Sequence, residues 1–205
     1  MNGPFNHASV AHGPAKYMQL PPEGQQRILD QLAAMSSFLA ERFGGLAEHE
    51  AKVRVGDRFS PIEQVWHLAD LEREGFGVRI ERLLNEDDAE LPNFDGAQVA
   101  ARRNYRAKSM SEGMRAFARA RQDNIDALAR VTPSEWTRRG VQHGVGPLSL
   151  GDIPAMMAAH DAAHREEIEA WSARSAQRVG DGRQSESDGG RCEMAETGPD
   201  TVDLR

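Results

Sequence analysis

Three histidines in this chain stand where they could hold a metal ion. His160 and His164 belong to the segment His160-Asp161-Ala162-Ala163-His164, and His67 to the upstream segment Trp66-His67-Leu68-Ala69-Asp70. Both segments read as helix, and two residues four apart share one helix face. A third imidazole from a facing helix would complete a three-nitrogen set with one position open for water or substrate. That pattern points to a metalloenzyme. Plainer readings exist beside it. His160 and His164 could be polar residues on a helix flank, and His67 a core histidine donating to a backbone carbonyl. Met156, Met157, Ala158, Ala159, Ala162 and Ala163 surround the pair with small or apolar side chains. The imidazoles are therefore expected to be buried, and buried imidazoles need hydrogen bonds or a metal.

Other metal patterns fit less well. The H-E-x-x-H helix of zincins places a glutamate where this chain has Asp161, whose shorter reach argues against that mechanism. Di-iron bundles use an E-x-x-H pair on each of two helices. Glu63 and His67 have the wrong spacing for it. The acidic stretch containing Asp87, Asp88 and Asp95 lacks the regular oxygen spacing of a calcium loop. The glycines between Arg139 and Pro147 do not form a strand-to-helix phosphate fingerprint.

Four long helices would have to position these histidines. The first follows Pro21-Pro22, carries Ile28, Leu32, Met35 and Leu39 on one stripe, and stops at Gly44-Gly45. The second opens on Ser60-Pro61-Ile62-Glu63, an N-cap serine, a first-turn proline and a glutamate able to return the capping bond. It should reach about Leu84, with Gly75 and Gly77 allowing a bend or a close neighbour. The third region spans about 97 to 130, with a break near Ser109-Met110-Ser111 and Ser111 as a possible new cap. The fourth starts at Ser149 to Asp152 and runs through both histidines to Trp171. Strand signal is almost absent apart from an extended piece at 53–55. The expectation is an all-α bundle over residues 21–173, preceded by a flexible arm at 1–20 and followed by a disordered tail at 174–205.

Composition narrows the function classes. The 205 residues carry a formal net charge of −7, with 39% hydrophobic and only 6% aromatic residues. An acidic balance argues against a nucleic-acid partner, because phosphate binding needs a concentrated basic surface. No apolar run is long enough for a membrane span, and no secretory signal is evident at the start. The single cysteine, Cys192, allows no internal disulfide, which suits a cytoplasmic location.

At this point the motifs meet a known pattern. Ser60 through Glu72 resembles the first metal motif of the DinB/YfiT-like superfamily, and Ala159 through Ile168 resembles its closing motif. The resemblance covers about residues 20 to 172. It implies an up-down-down-up four-helix bundle, often dimeric, with His67, His160 and His164 as ligands of a divalent ion. Imidazole suits zinc, nickel, copper and iron alike; zinc or nickel is expected first, iron or copper next. The family commonly has glutamine where this chain has Glu167. Relatives include thiol S-transferases that use a low-molecular-weight thiol and proteins described as hydrolases. The implied partner is thus a small-molecule substrate, attacked by a thiol or by water. A non-catalytic bundle that binds a metal or small molecule is the alternative. Glu63, Asp70, Glu167 and His143 are candidates for acid–base help, and Arg121 and Arg165 for a substrate carboxylate. The acid–base candidates are each read first as structural residues, nothing places either arginine in the pocket, and Trp66 and Trp171 are read first as packing the bundle.

Overall fold

Local chemistry at Ser60 starts the helix that carries His67. The Glu63 carboxylate accepts from the Ser60 backbone N–H at 3.0 Å and from its hydroxyl at 2.7 Å, and Pro61 fills the first helical position. Helix ends leave backbone donors without intrahelical partners, so such a cap fixes where the helix begins. The rod then runs from Pro61 to Asn85 with one wide turn inside it.

The computed structural model describes residues 17–188, with side chains for 17–177. In chain order the main elements are helices α1 (Pro22–Phe43), α2 (Glu48–Ala51) and α3 (Pro61–Asp70), a π-helical turn at Leu71–Phe76, α4 (Gly77–Asn85), strand β1 (Ala89–Leu91), helices α5 (Gly96–Arg103) and α6 (Met110–Ala129), strands β2 (Arg139–Gln142) and β3 (Gly146–Ser149), and helix α7 (Ile153–Asp188). The rod α3–α4 packs along α6, and α1 packs against both α6 and α7. This is an all-α four-helix bundle, as the sequence leads one to expect. Among the described residues no helix is long and apolar enough to cross a membrane.

Four details depart from the expectation. The glycine-rich stretch before α7 is not a loop: β2 and β3 pair antiparallel, and β1 joins β2 in parallel, with Leu91 opposite Gln142. Gly144 and Gly146, at φ of 75° and 108°, make the turn between β2 and β3. Ser109, not Ser111, caps α6, accepting from the Glu112 N–H. Residues 17–20 are packed rather than loose, since Tyr17 is buried and its ring lies 5.1 Å from Trp136. Finally, α7 continues past residue 173 to Asp188. The rest of the expected tail, 189–205 with Cys192, lies outside the described residues, as does 1–16 with His7 and His12.

Of three apolar clusters among the described residues, the two larger hold the bundle. One gathers Leu32, Phe76, Ile80, Leu83, Leu91 and Met157, and the other Met35, Phe43, Val65, Phe117, Ile168 and Trp171. Full burial of such a side chain contributes about 1.5–3 kcal/mol. Between them runs a buried polar clamp. Arg121 of α6 donates to Asp161 of α7 at 2.6 and 2.9 Å, to Glu72 of the π turn at 2.8 Å and to the Leu32 carbonyl of α1 at 3.0 Å. Asn124 adds bonds to the Glu72 carboxylate and carbonyl at 2.8 and 2.9 Å. Gly77 also returns its N–H to that carbonyl, and a Cβ there would stand 3.1 Å from Asn124 Oδ1. The glycine thus allows the close approach of α6. The clamp sets the His67 rod against the helix of His160 and His164.

Candidate metal centre

The three histidines converge. His67 comes from α3, and His160 and His164 from successive turns of α7. One ring nitrogen of each lies within 4.8 Å of the others. The His160 and His164 Nε2 atoms are 3.1 Å apart. Ring centroids are separated by 4.3 Å for His160–His164, 5.1 Å for His67–His164 and 5.6 Å for His67–His160. His67 and His164 are 2% and 1% exposed, whereas His160 is half-buried. Of the three, His160 is the most exposed.

A residue the sequence reading passed over orients His164. The Gln64 carbonyl Oε1 sits 2.5 Å from His164 Nδ1. A carbonyl only accepts, so Nδ1 carries the proton and the Nε2 lone pair faces the cluster. Gln64 Nε2 in turn donates to Glu167 Oε2 at 2.8 Å. A carboxylate only accepts, so Glu167 decides which end of the amide faces the histidine. The charge at position 167 therefore acts on the cluster through Gln64. Glu167 itself stays 3.7 Å from His164 Nδ1. The available signal for Gln64 was its place one turn before His67 on the same helix.

Aromatic rings wall the cluster. Phe59 and Phe94 lie 5.6 and 5.9 Å from the His67 ring, and Phe76 stands edge-on to His160 at 6.1 Å. Gly96, the first residue of α5, presses on His67 so closely that a Cβ there would overlap Cε1 and Nδ1 of the imidazole. The ring is thus held between phenylalanines and bare backbone.

Most of the other candidates are engaged elsewhere. Glu63 serves the α3 cap and accepts from Arg54 Nε at 2.8 Å. Burial alone would push its carboxyl up; the Arg54 guanidinium and the Ser60 donors hold it below the ordinary value. Asp70 accepts from Tyr105 at 2.6 Å, Arg103 at 2.6 Å and Arg73 at 2.7 Å, which ties α5 and its following turn to α3. Burial and that bond push the Tyr105 hydroxyl's pKa well up. Glu74 pairs with Arg103 and Arg73. His143 is exposed in the β2–β3 turn. Arg121 belongs to the clamp, where burial opposes its charge but Asp161 and Glu72 more than restore it. Arg165 lies over Phe38, with its guanidinium carbon 4.2 Å from the ring centroid. Trp66 and Trp171 pack and donate to the Ser109 and Val53 carbonyls.

The donor set fits a divalent ion. Among the described residues the set is three nitrogen donors, one with its tautomer fixed by a carbonyl, the ligand number of catalytic rather than structural zinc sites. Neutral imidazoles serve zinc, nickel, copper or iron. The apolar wall lowers the local polarity, which strengthens electrostatic interactions beside it.

Comparison with known proteins agrees with this fold. The family model of the DinB superfamily matches residues 31–168. In structure the chain is similar to YfiT from Bacillus subtilis, described as "a probable metal-dependent hydrolase with an unusual four-helix bundle topology". The TM-score is 0.71 at 14% identity, covering 77% of this chain and 90% of that one. No curated protein matches the chain significantly in sequence. The chain belongs to the DinB superfamily.

Proposed function

We propose that this DinB-superfamily bundle is a metal-dependent hydrolase of small molecules, with His67, His160 and His164 as ligands of one divalent ion and water as nucleophile. The observation that carries the reading is the convergence of three imidazole nitrogens in a phenylalanine-walled pocket. The description of YfiT as a metal-dependent hydrolase supports it. A divalent ion held by neutral imidazoles keeps its double charge and supplies Lewis-acid activation of water or of a thiol.

The chain's own residues do the positioning. Gln64 keeps the proton of His164 on Nδ1, away from the cluster, and Glu167 keeps Gln64 turned that way. Phe59, Phe94 and Gly96 restrict the rotation of His67. Phe76 shields the flank of His160, and substrate enters on the half-buried side of that histidine. Acid–base help is not assigned to Glu63 or Asp70, whose carboxylates are taken by Arg54 and Ser60 and by Tyr105, Arg103 and Arg73.

Thiol transfer is the second reading, because an open position beside three nitrogen donors accepts a thiolate as readily as water. One assay series separates the two. Chelated protein is reloaded with zinc or nickel and tested on small ester and amide substrates, with and without a low-molecular-weight thiol. Turnover that needs metal alone supports hydrolysis. Turnover that needs metal and thiol together, with a thioester product and release of the alcohol or amine, replaces hydrolysis by transfer. Stoichiometric binding of the metal with no turnover of either kind would make the bundle a binding module.

A further inference from the structure

Two arginines among the described residues are buried, and their surroundings are opposite. Arg121 is charge-balanced by two carboxylates and also donates to a carbonyl, with only its Nε left without a hydrogen-bond partner. Arg79 of α4, 5% exposed, has no carboxylate partner among the described residues. Its Nη2 donates to the Pro92 carbonyl at 3.3 Å, and its Nε has no hydrogen-bond partner. A guanidinium carries five donors and keeps its charge, and burying it without a counter-charge is unfavourable. Burial pushes the Arg79 pKa down to about 10, which still leaves it charged at neutral pH.

Its position connects it to the imidazoles by two routes. The guanidinium carbon lies 5.5 Å from the Phe76 ring centroid, and the same ring stands against His160. The segment 92–94 touches Arg79 through the Pro92 carbonyl and His67 through the Phe94 ring. Arg79 is thus one aromatic layer behind the cluster.

We propose that Arg79 is an anion subsite of the three-histidine pocket, binding the carboxylate or phosphate group of the molecule that reacts there. The fork geometry of guanidinium matches both oxyanions. The substrate class is then a small molecule whose reactive group and anionic group are separated by an apolar portion that lies along Phe76 and Phe94. The proposal rests on reading the three-histidine pocket as the place of chemistry. The competing role for Arg79 is a strap that only holds residues 92–94 in place.

Thermal unfolding of the full-length protein separates the two roles. Metal is removed by chelation, since an ion would itself bind anions. Increasing sodium benzoate or inorganic phosphate is added, with benzamide as the neutral control. A ligand that binds only the folded state raises the midpoint. The wild-type midpoint should rise with benzoate or phosphate and not with benzamide, and the anion giving the larger rise identifies the group. Arg79→Met should keep or raise the midpoint without anion and lose the response. Arg79→Lys, which keeps the charge but not the fork, should respond with apparent affinity weakened roughly tenfold. No anion-dependent rise in the wild type, or the same rise in Arg79→Met, overturns the proposal. Should Arg79→Met fail to fold, an unchanged response in Arg79→Lys overturns it. Because no metal is present, this result stands or fails separately from any test of the histidine ligands.

Discussion

His160 and Asp161 are neighbours on α7, yet they belong to buried polar clusters of opposite character. Asp161 enters a clamp in which donors meet acceptors: Arg121 faces two carboxylates, and Asn124 completes Glu72. His160 enters a cluster in which nitrogen atoms of one kind are gathered inside a ring of phenylalanines. Complementary groups neutralise each other's charge, so the clamp sets helix positions. Three imidazoles brought together can each offer one ring nitrogen to a single ion. Buried polarity is therefore a sign of function where its members are alike and a sign of architecture where they are complementary.

The contrast can be broken in either cluster. Arg121→Met should have the largest effect on stability. It leaves Glu72 buried without a counter-charge and Asp161 with only Arg165 nearby, and loss of one partner of such a group costs about 3–5 kcal/mol. Chemical denaturation should show that loss; a change below about 1 kcal/mol would mean that the clamp does not hold the helices. His160→Ala and His164→Ala should do the reverse, losing most bound metal while circular dichroism keeps its helical signal. Full metal content in both variants would remove these residues from the ligand set. Gln64→Leu sharpens the comparison further. It removes the carbonyl that fixes the His164 proton and should weaken metal affinity about 10–100-fold with little change in fold. An unchanged affinity would reduce Gln64 to a packing residue.

The smallest effect lies at the α3 cap. The folded Glu63 carboxyl titrates below its unfolded value, so its contribution is present above the unfolded value of about 4.3 and is lost as pH falls through the depressed folded value. Arg54 is 45% exposed at its side chain, so solvent screening keeps the contribution to about 1 kcal/mol or less. Glu63→Gln should therefore narrow the stability difference between pH 7 and acid. An identical acid profile in the variant would show that the cap bonds do not depend on charge.

Much of the site is written locally. The spacing of His160 and His164 on one helix needs only the helical period, and the Ser60–Glu63 cap is a local code for where the His67 helix starts. What escaped the sequence depends on distant approach. Gln64 gains its meaning only because α7 brings His164 opposite it. Phe94 and Gly96 reach His67 from the segment after β1, whose course is set by Arg103, Tyr105 and Asp70. Glu63 and Asp70 sit near His67 along the helix but turn to a cap and to α5, the structural role preferred for them from sequence. The small sheet was missed because β1, β2 and β3 have only 3, 4 and 4 residues, interrupted by Gly140, Gly146 and Pro147. Gly77 signalled the close approach of α6, but the π turn before it also requires Asn124 to meet the carbonyl of Glu72.

The central claim is that His67 and the two histidines of α7 hold one divalent ion. Elemental analysis of the purified protein beside its His67→Ala variant, both after incubation with zinc or nickel, tests it most directly. The account predicts about one metal per chain in the wild type and little in the variant. Equal metal in the two proteins, or none in the wild type, would contradict it.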